Sequence, residues 1–503
     1  MNKKRLPIIC RGFPHVLDSE NSMPSRRIKP TIHLIGAVLS LSLTMPLYAD
    51  QTTPPPIFSS DRIKPVPQIE SNITGLVTIG AVTYFSANDG INGQELWKSD
   101  GTAAGTVMIK DINPGPDGSN PANLTNVNGT LFFTATDPAH GIELWKSDGT
   151  AAGTVLVKDI NPGPANSNPA NLVNVNGTLF FTAFDPKLGA ELWKSDGTAA
   201  GTVPVRDITP GQASSSPANL TNVNGTLFFT ATDPAHGTEL WKSNGTAVGT
   251  VLVKDIRPGS ASSNPSHLTD VNGVLFFTAT DPATGTELWK SDGTAAGTVQ
   301  VKDINPGRPG SGPASLTNVN GTLFFTAADP EHGRELWKSD GTDEGTVPVK
   351  DINPGPASSS PGSLTYVNGT LFFAATDPEH GRELWKSDGT AEGTVLVKDI
   401  NPGPASSSPF NLTNIDGTLF FTATDADHGD ELWKSDGTAA GTVLVKDIHP
   451  GSATSNPACL TYANGMLIFV ATDPEQGRQL WKSNGTAAGT VMIKAINTTG
   501  KKP

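Results

Sequence analysis

The chain has 503 residues, a formal net charge of −13, 53 glycines, 41 prolines and two cysteines. So acidic a chain makes a poor electrostatic partner for nucleic acid or an anionic membrane, and both are excluded as partners. Scattered glycine and proline at this level would suggest disorder, but here they recur at regular places between apolar runs, as turns of a folded repeat do.

The N-terminus reads as an export signal. Arg26, Arg27 and Lys29 precede the mostly apolar run 32–47, and Leu47-Tyr48-Ala49 supplies the small residue a signal peptidase needs. Residues 1–49 are therefore expected to leave after Ala49, with Met23 as an alternative start. The run is short and interrupted for a membrane span, and no second candidate follows, so no membrane insertion is expected after signal removal. Loss of 1–49 removes seven Lys/Arg and two Asp/Glu and leaves a net charge of −18. Cys10 goes with the signal and Cys459 stays alone, so packing must supply the stability. Residues 50–72 form a Pro/Thr-rich linker. Within it, 57–67 (IFSSDRIKPVP) echoes VKDINPGP and is a candidate extra strand for a closing blade.

From residue 73 onward the sequence repeats. Trp97, Trp145, Trp193, Trp241, Trp289, Trp337, Trp385, Trp433 and Trp481 are each 48 residues apart, and a fixed period of this size overrides any domain count based on length. In the unit 123–163, residues 124–127 are β-prone and Asn128-Gly129 is a strong hairpin signal, because both turn positions need positive φ. A second strand, 130–136, carries LFFTA and ends at the turn 137–141. A third, 143–147, passes through the loop 148–153 into a fourth, 154–160, and Asn161-Pro162-Gly163-Pro164 leads into the next unit.

Four short antiparallel strands per unit, without helical periodicity, describe one blade of a β-propeller. In the second strand Leu131 and Phe133 point to one face and Phe132 to the other. Both faces are apolar, so each unit must be wedged between neighbours. Sixteen of the twenty phenylalanines occupy the two adjacent positions of Phe132 and Phe133 in this strand and its copies, each contributing roughly 1.5–3 kcal/mol when fully buried. The expectation is an all-β protein: a nine-bladed propeller of four-stranded antiparallel blades over 73–496, followed by a tail, 497–503. Eight blades plus a displaced unit is the alternative.

The stretch ELWKSDGTAAGT at 95–106 returns with few changes in every unit, ELW eight times and QLW once, at Gln479. It resembles the ELWxxDGTxxGT repeat, a bacterial family also described as hyalin-like. That resemblance implies an exported or surface protein of propeller-like fold and no particular reaction.

Several residue columns tempt a functional reading. Asp89, Asp137, Asp185, Asp233, Asp281, Asp329, Asp377, Asp425 and Asp473 share one position, and Asp100, Asp148 and their counterparts share another. Calcium needs six to eight oxygens, more than either turn supplies unless the two converge, so turn chemistry is the expected role. His140, His236, His332, His380 and His428 share a position on separate blades, too far apart for one metal ion, and are read as solvent-facing turn residues. Glu143 and Lys158 are expected to pair across adjacent strands. Asn-Gly-Thr spells a glycosylation sequon but fits the hairpin turn better. Departures from consensus at Phe184, Lys187, Arg257, Arg308, Asp343, Glu344, Cys459 and Ala495 are scattered and chemically unrelated. No catalytic, cofactor-binding or metal site emerges, and no cofactor is expected. The function read from this is a non-enzymatic, monomeric exported scaffold, periplasmic, surface-bound or secreted, that presents repeated loops to a polysaccharide or surface protein. Its alternatives are a glycan hydrolase or lyase working in the central channel, and a calcium-dependent adhesion protein.

Overall fold

The computed structural model describes residues 71–497. The export signal, the segment 57–67, Cys10 and the end of the tail lie outside the described residues. The described chain forms nine sheets of four antiparallel strands in sequence order. The first blade holds β1 (Thr74–Ile79), β2 (Val82–Asn88), β3 (Gln94–Ser99) and β4 (Val107–Lys110). The second holds β5 (Ala122–Val127), β6 (Thr130–Asp137), β7 (Gly141–Ser147) and β8 (Val155–Lys158), and the pattern runs on to β33 (Ala458–Ala463) through β36 (Val491–Lys494) in the ninth. This is the nine-bladed propeller expected from the repeat.

Local chemistry accounts for each element. Asn128 (φ 50°) and Gly129 (φ 88°) form the two-residue turn between β5 and β6, with Val127 opposite Thr130. The apolar faces divide as the alternation requires. Leu131, Phe133, Ala135 and Trp145 pack with Tyr84, Leu96, Ile109 and Ile112 of blade 1. Phe132, Leu144, Val157 and Ile160 pack with Leu179, Phe181, Ala183 and Trp193 of blade 3. The core is therefore nine inter-blade layers, with all nine tryptophans 7 % exposed or less.

First strands of neighbouring blades approach one another around the circle, β1 to β5 and onward to β33, and β33 returns to β1. The first strand of each blade is thus innermost and the fourth outermost. Among the described residues no strand is exchanged at closure: blade 9 and blade 1 meet through the same kind of apolar layer, Ile468, Val470 and Leu480 against Ile73, Phe85 and Trp97. At this seam Lys482 Nζ donates to Gly101 O (3.0 Å), Lys494 Nζ to Thr106 O (2.8 Å) and Asn464 Nδ2 to Ala81 O (2.8 Å).

Candidate functional site

Because the strands alternate in direction, the turn after the first strand and the loop after the third share one rim of the ring. The turn after the second strand and the linker to the next blade share the other. We call these the hairpin rim and the linker rim.

On the hairpin rim, the recurring motif is a device for joining blades. Asp148 Oδ1 accepts from Thr150 N (2.8 Å) and Thr150 Oγ1 (2.7 Å), bonds that hold its carboxyl below the usual range. Ser147 Oγ lies 2.7 Å from Thr154 Oγ1 and accepts from Gly149 N at 3.0 Å, closing the loop. Blade 1 grips this loop from outside: Lys98 Nζ donates to Gly149 O (2.8 Å) and Lys110 Nζ to Thr154 O (2.8 Å). One turn further, Lys158 Nζ donates to Thr202 O (2.7 Å) and sits 5.8 Å from the centre of the Trp193 ring. Gly197 (φ 88°) lies against Phe132 of the preceding blade, where a Cβ would come within 3.1 Å of the ring. The expected Glu143–Lys158 pair is therefore corrected: Lys158 reaches the next blade instead. A cavity of about 240 Å³ opens on this rim between blades 6 and 7, walled by Asn320, Phe324, Lys338, Asp388 and Gly389.

On the linker rim, Glu143 is 0 % exposed and serves the backbone. It accepts from Ile160 N (3.0 Å), Ser167 N (2.9 Å) and Ser167 Oγ (2.6 Å), fastening the linker to the next blade. Burial raises its pKa, as it does for the counterparts, with Glu431 pushed up to about 7. In the ninth blade Gln479 holds the first and last described segments together: its Oε1 accepts from Ile496 N (2.9 Å) and Ser71 Oγ (3.1 Å).

The turn aspartates and histidines also lie on the linker rim. Asp137 Oδ1 accepts from Ala139 N (2.8 Å) and His140 N (2.9 Å), and Oδ2 is 2.7 Å from His140 Nδ1. His236, His332, His380 and His428 make the same ion pair at 2.8–2.9 Å. The histidines are thus held within their turns, where the Asp hydrogen bond raises the pKa of each. Burial alone would raise the Asp137 carboxyl, but the His140 and Ala139 bonds outweigh it and the pKa is lowered. Asp137 and Asp148 stand at opposite ends of a seven-residue strand, about 20 Å apart at ~3.3 Å per residue, so the two loops do not build one cage. Among the described residues no group of three His, Cys, Asp or Glu side chains is placed to hold a metal ion.

The non-consensus residues do not converge. Lys187 and Arg257 belong to the linker rim of blades 3 and 4, whereas Asp343 is on the hairpin rim of blade 6, 3.2 Å from Lys302. Sequence reasoning missed one column that does cluster. Where blades 2–5 carry Ile142, Ala190, Thr238 and Thr286, blades 6–9 carry Arg334, Arg382, Asp430 and Arg478. The guanidinium groups reach inward to the carbonyls that open the innermost strands, Arg334 to Gly312 (2.9 Å), Arg382 to Ser360 (2.7 Å) and Arg478 to Asn456 (3.1 Å). Asp430 is buried and accepts from Thr424 Oγ1, and its sequence neighbour Glu431 accepts from the amide of the linker residue His449 at 3.2 Å. The signal was available as charge confined to four consecutive units.

Among protein families, the model of outer membrane protein assembly factor BamB matches residues 319–499, that is, blades 6 to 9. This corrects the resemblance drawn from the ELWxxDGTxxGT motif: the family model that fits is not that of a hyalin-like repeat. It also corrects the first functional reading, a scaffold offering loops to a polysaccharide or surface protein, since the matching model describes an assembly factor. None of the curated proteins matches the chain. Among solved structures, the computationally designed Ika8 protein is 12% identical with a TM-score of 0.41, covering 72% of this chain and 96% of its own. A puromycin hydrolase is 16% identical with a TM-score of 0.35, covering 70% of this chain and 58% of its own. The β-propeller domain of the Trilobed protease from Pyrococcus furiosus is 10% identical with a TM-score of 0.34, covering 66% of this chain and 100% of its own. The chain spans little more than half the length of the hydrolase it matches.

Proposed function

We propose that the ring acts in the cell envelope as an assembly-factor-like propeller that engages polypeptide partners. The observation that carries this reading is the match of blades 6–9 to the model of an outer membrane protein assembly factor. The export signal read at 1–49 supports the same compartment, and the charged column Arg334, Arg382, Asp430 and Arg478 falls on those same four blades. The test is deletion of the gene in its host, followed by quantification of folded outer-membrane proteins. A fall restored by the full chain is expected; an unchanged outer-membrane profile would overturn the reading.

A second reading, a glycan hydrolase or lyase, is favoured by one observation: blade 8 sets a buried aspartate, Asp430, next in sequence to the buried Glu431, whose pKa is raised to about 7. Glycan turnover by the purified chain, abolished by Asp430→Asn, is the outcome this reading requires.

A further inference from the structure

Asn-Gly bonds recur on the hairpin rim, and such bonds carry a chemical liability. The glycine amide nitrogen can attack the asparagine side-chain carbonyl carbon, Cγ. The attacking nitrogen gives up its proton to solvent, the side-chain nitrogen leaves as ammonia, and a five-membered succinimide closes. Water then opens that ring at either carbonyl, leaving aspartate or isoaspartate. The reaction depends on a glycine nitrogen that is free to attack.

In most blades this nitrogen is occupied. Gly129 N donates to Asn126 Oδ1 (2.9 Å), Gly177 N to Asn174 Oδ1 (2.8 Å), Gly225 N to Asn222 Oδ1 (2.9 Å), Gly273 N to Asp270 Oδ1 (2.7 Å) and Gly321 N to Asn318 Oδ1 (2.9 Å). In blade 8 the same bond forms, but the turn begins with Asp416 and has no amide to lose. The Asn-Gly pairs of the outer loops are held likewise, Gly245 N by Ser243 Oγ (3.0 Å) and Gly485 N by Ser483 Oγ (2.9 Å). Asn92-Gly93 lies between β2 and β3 on the linker rim, outside the hairpin turns, and Asn92 Nδ2 there donates to Asp89 Oδ2 at 2.8 Å.

Blades 7 and 9 differ. The acceptor position holds Tyr366 and Tyr462, whose phenol oxygens stand too far from the backbone to fold back on their own turn. Tyr366 instead accepts from Asn320 Nδ2 of the preceding blade at 2.6 Å. Asn368-Gly369 (φ 47° and 90°) and Asn464-Gly465 (φ 52° and 77°) adopt the same turn as Asn128-Gly129 and are exposed. Among the described residues, neither Gly369 N nor Gly465 N has a side-chain acceptor. Backbone shape is shared by all seven Asn-Gly hairpin turns, so what separates the two groups is whether the attacking nitrogen is held.

We infer that, among the seven Asn-Gly hairpin turns of this ring, Asn368 and Asn464 deamidate first, converting to aspartate and isoaspartate ahead of the other five. The consequence is structural, because in both residues the departing nitrogen is also an inter-blade donor. Asn368 Nδ2 donates to Gly417 O (3.0 Å), and Asn464 Nδ2 donates to Ala81 O (2.8 Å) across the seam. Deamidation replaces each bond by a carboxylate facing a carbonyl, a repulsive contact.

The test incubates the full chain in mildly alkaline buffer and follows each Asn-Gly peptide by mass spectrometry with isoaspartate detection. Asn368 and Asn464 are expected to convert several-fold faster than Asn128, Asn176, Asn224, Asn272 and Asn320; equal rates overturn the inference. Tyr366→Asn installs the residue found at that position in blades 2, 3, 4, 6 and 8, so it suits the fold. It is expected to slow Asn368 to the rate of Asn128 while leaving Asn464 fast. If Asn368 stays fast in this variant, the glycine hydrogen bond is not the protecting element and the inference falls.

Discussion

A glutamate carboxylate with no exposure and no cation beside it is a costly residue to repeat eight times. Glu143 and its counterparts are retained because each oxygen satisfies backbone and hydroxyl donors that the linker would otherwise bury unpaired. The cost appears as raised pKa values. A carboxyl that binds its proton more tightly when folded contributes stability that is complete below the unfolded value, near 4.5, and is lost as pH climbs through the folded one, about 7 for Glu431. The turn histidines act in the same direction, their contribution lost as pH rises through values raised above 6.5. Glu431→Gln should therefore flatten the fall in urea midpoint between mildly acidic and neutral pH. Gln479 shows that the amide fits this place in the fold, and an unaltered slope would mean that Glu431 does not carry the effect.

At the scale of the strand and blade, the stabilising unit is the layer between two sheets. Phe277 is 0 % exposed and packs with Phe228, Leu240 and Ile256 of the neighbouring blade. Phe277→Ala should cost about 3–5 kcal/mol, read by chemical denaturation; a loss under about 1 kcal/mol would contradict a close-packed layer. This level was legible beforehand. The spacing of the tryptophans, the Asn-Gly turns and the doubled phenylalanines all report on contacts that one unit can announce by itself. The partners of Glu143, Lys158 and His140 were not legible, for a physical reason. Glu143 answers Ser167, which lies in a linker whose path only the finished ring defines, and Lys158 answers a carbonyl at Thr202 in the next blade. His140 was within reach, since the spacing Asp-Pro-x-His places the two side chains on one turn. Charge on blades 6–9 was also readable, had the departures been compared by column instead of one by one.

Across the described residues, nine interfaces repeat an apolar layer and a Lys or Arg bond to a threonine carbonyl, and the seam between blades 9 and 1 differs by Gln479 in place of glutamate and by Ile468 and Val470 in strand two. The position of the ends should therefore be nearly arbitrary. A circular permutant opened in the linker between blades 2 and 3, with its original ends joined by a short flexible segment, is expected to keep its β circular dichroism and melt within a few degrees of the parent. Failure of this permutant to fold would show that the nine joints are not equivalent.

The closure without strand exchange has a further consequence. A molecule parted between its first and last blades exposes two unlike surfaces, each the natural mate of the other on any copy of the chain. Two parted molecules can join head to tail and close as one larger circle, the interlocking expected of complementary ends. Refolding at high protein concentration should then yield dimers that revert slowly on dilution, detectable by size-exclusion chromatography with light scattering. Monomer alone at every concentration would indicate that the last joint forms before chains can meet.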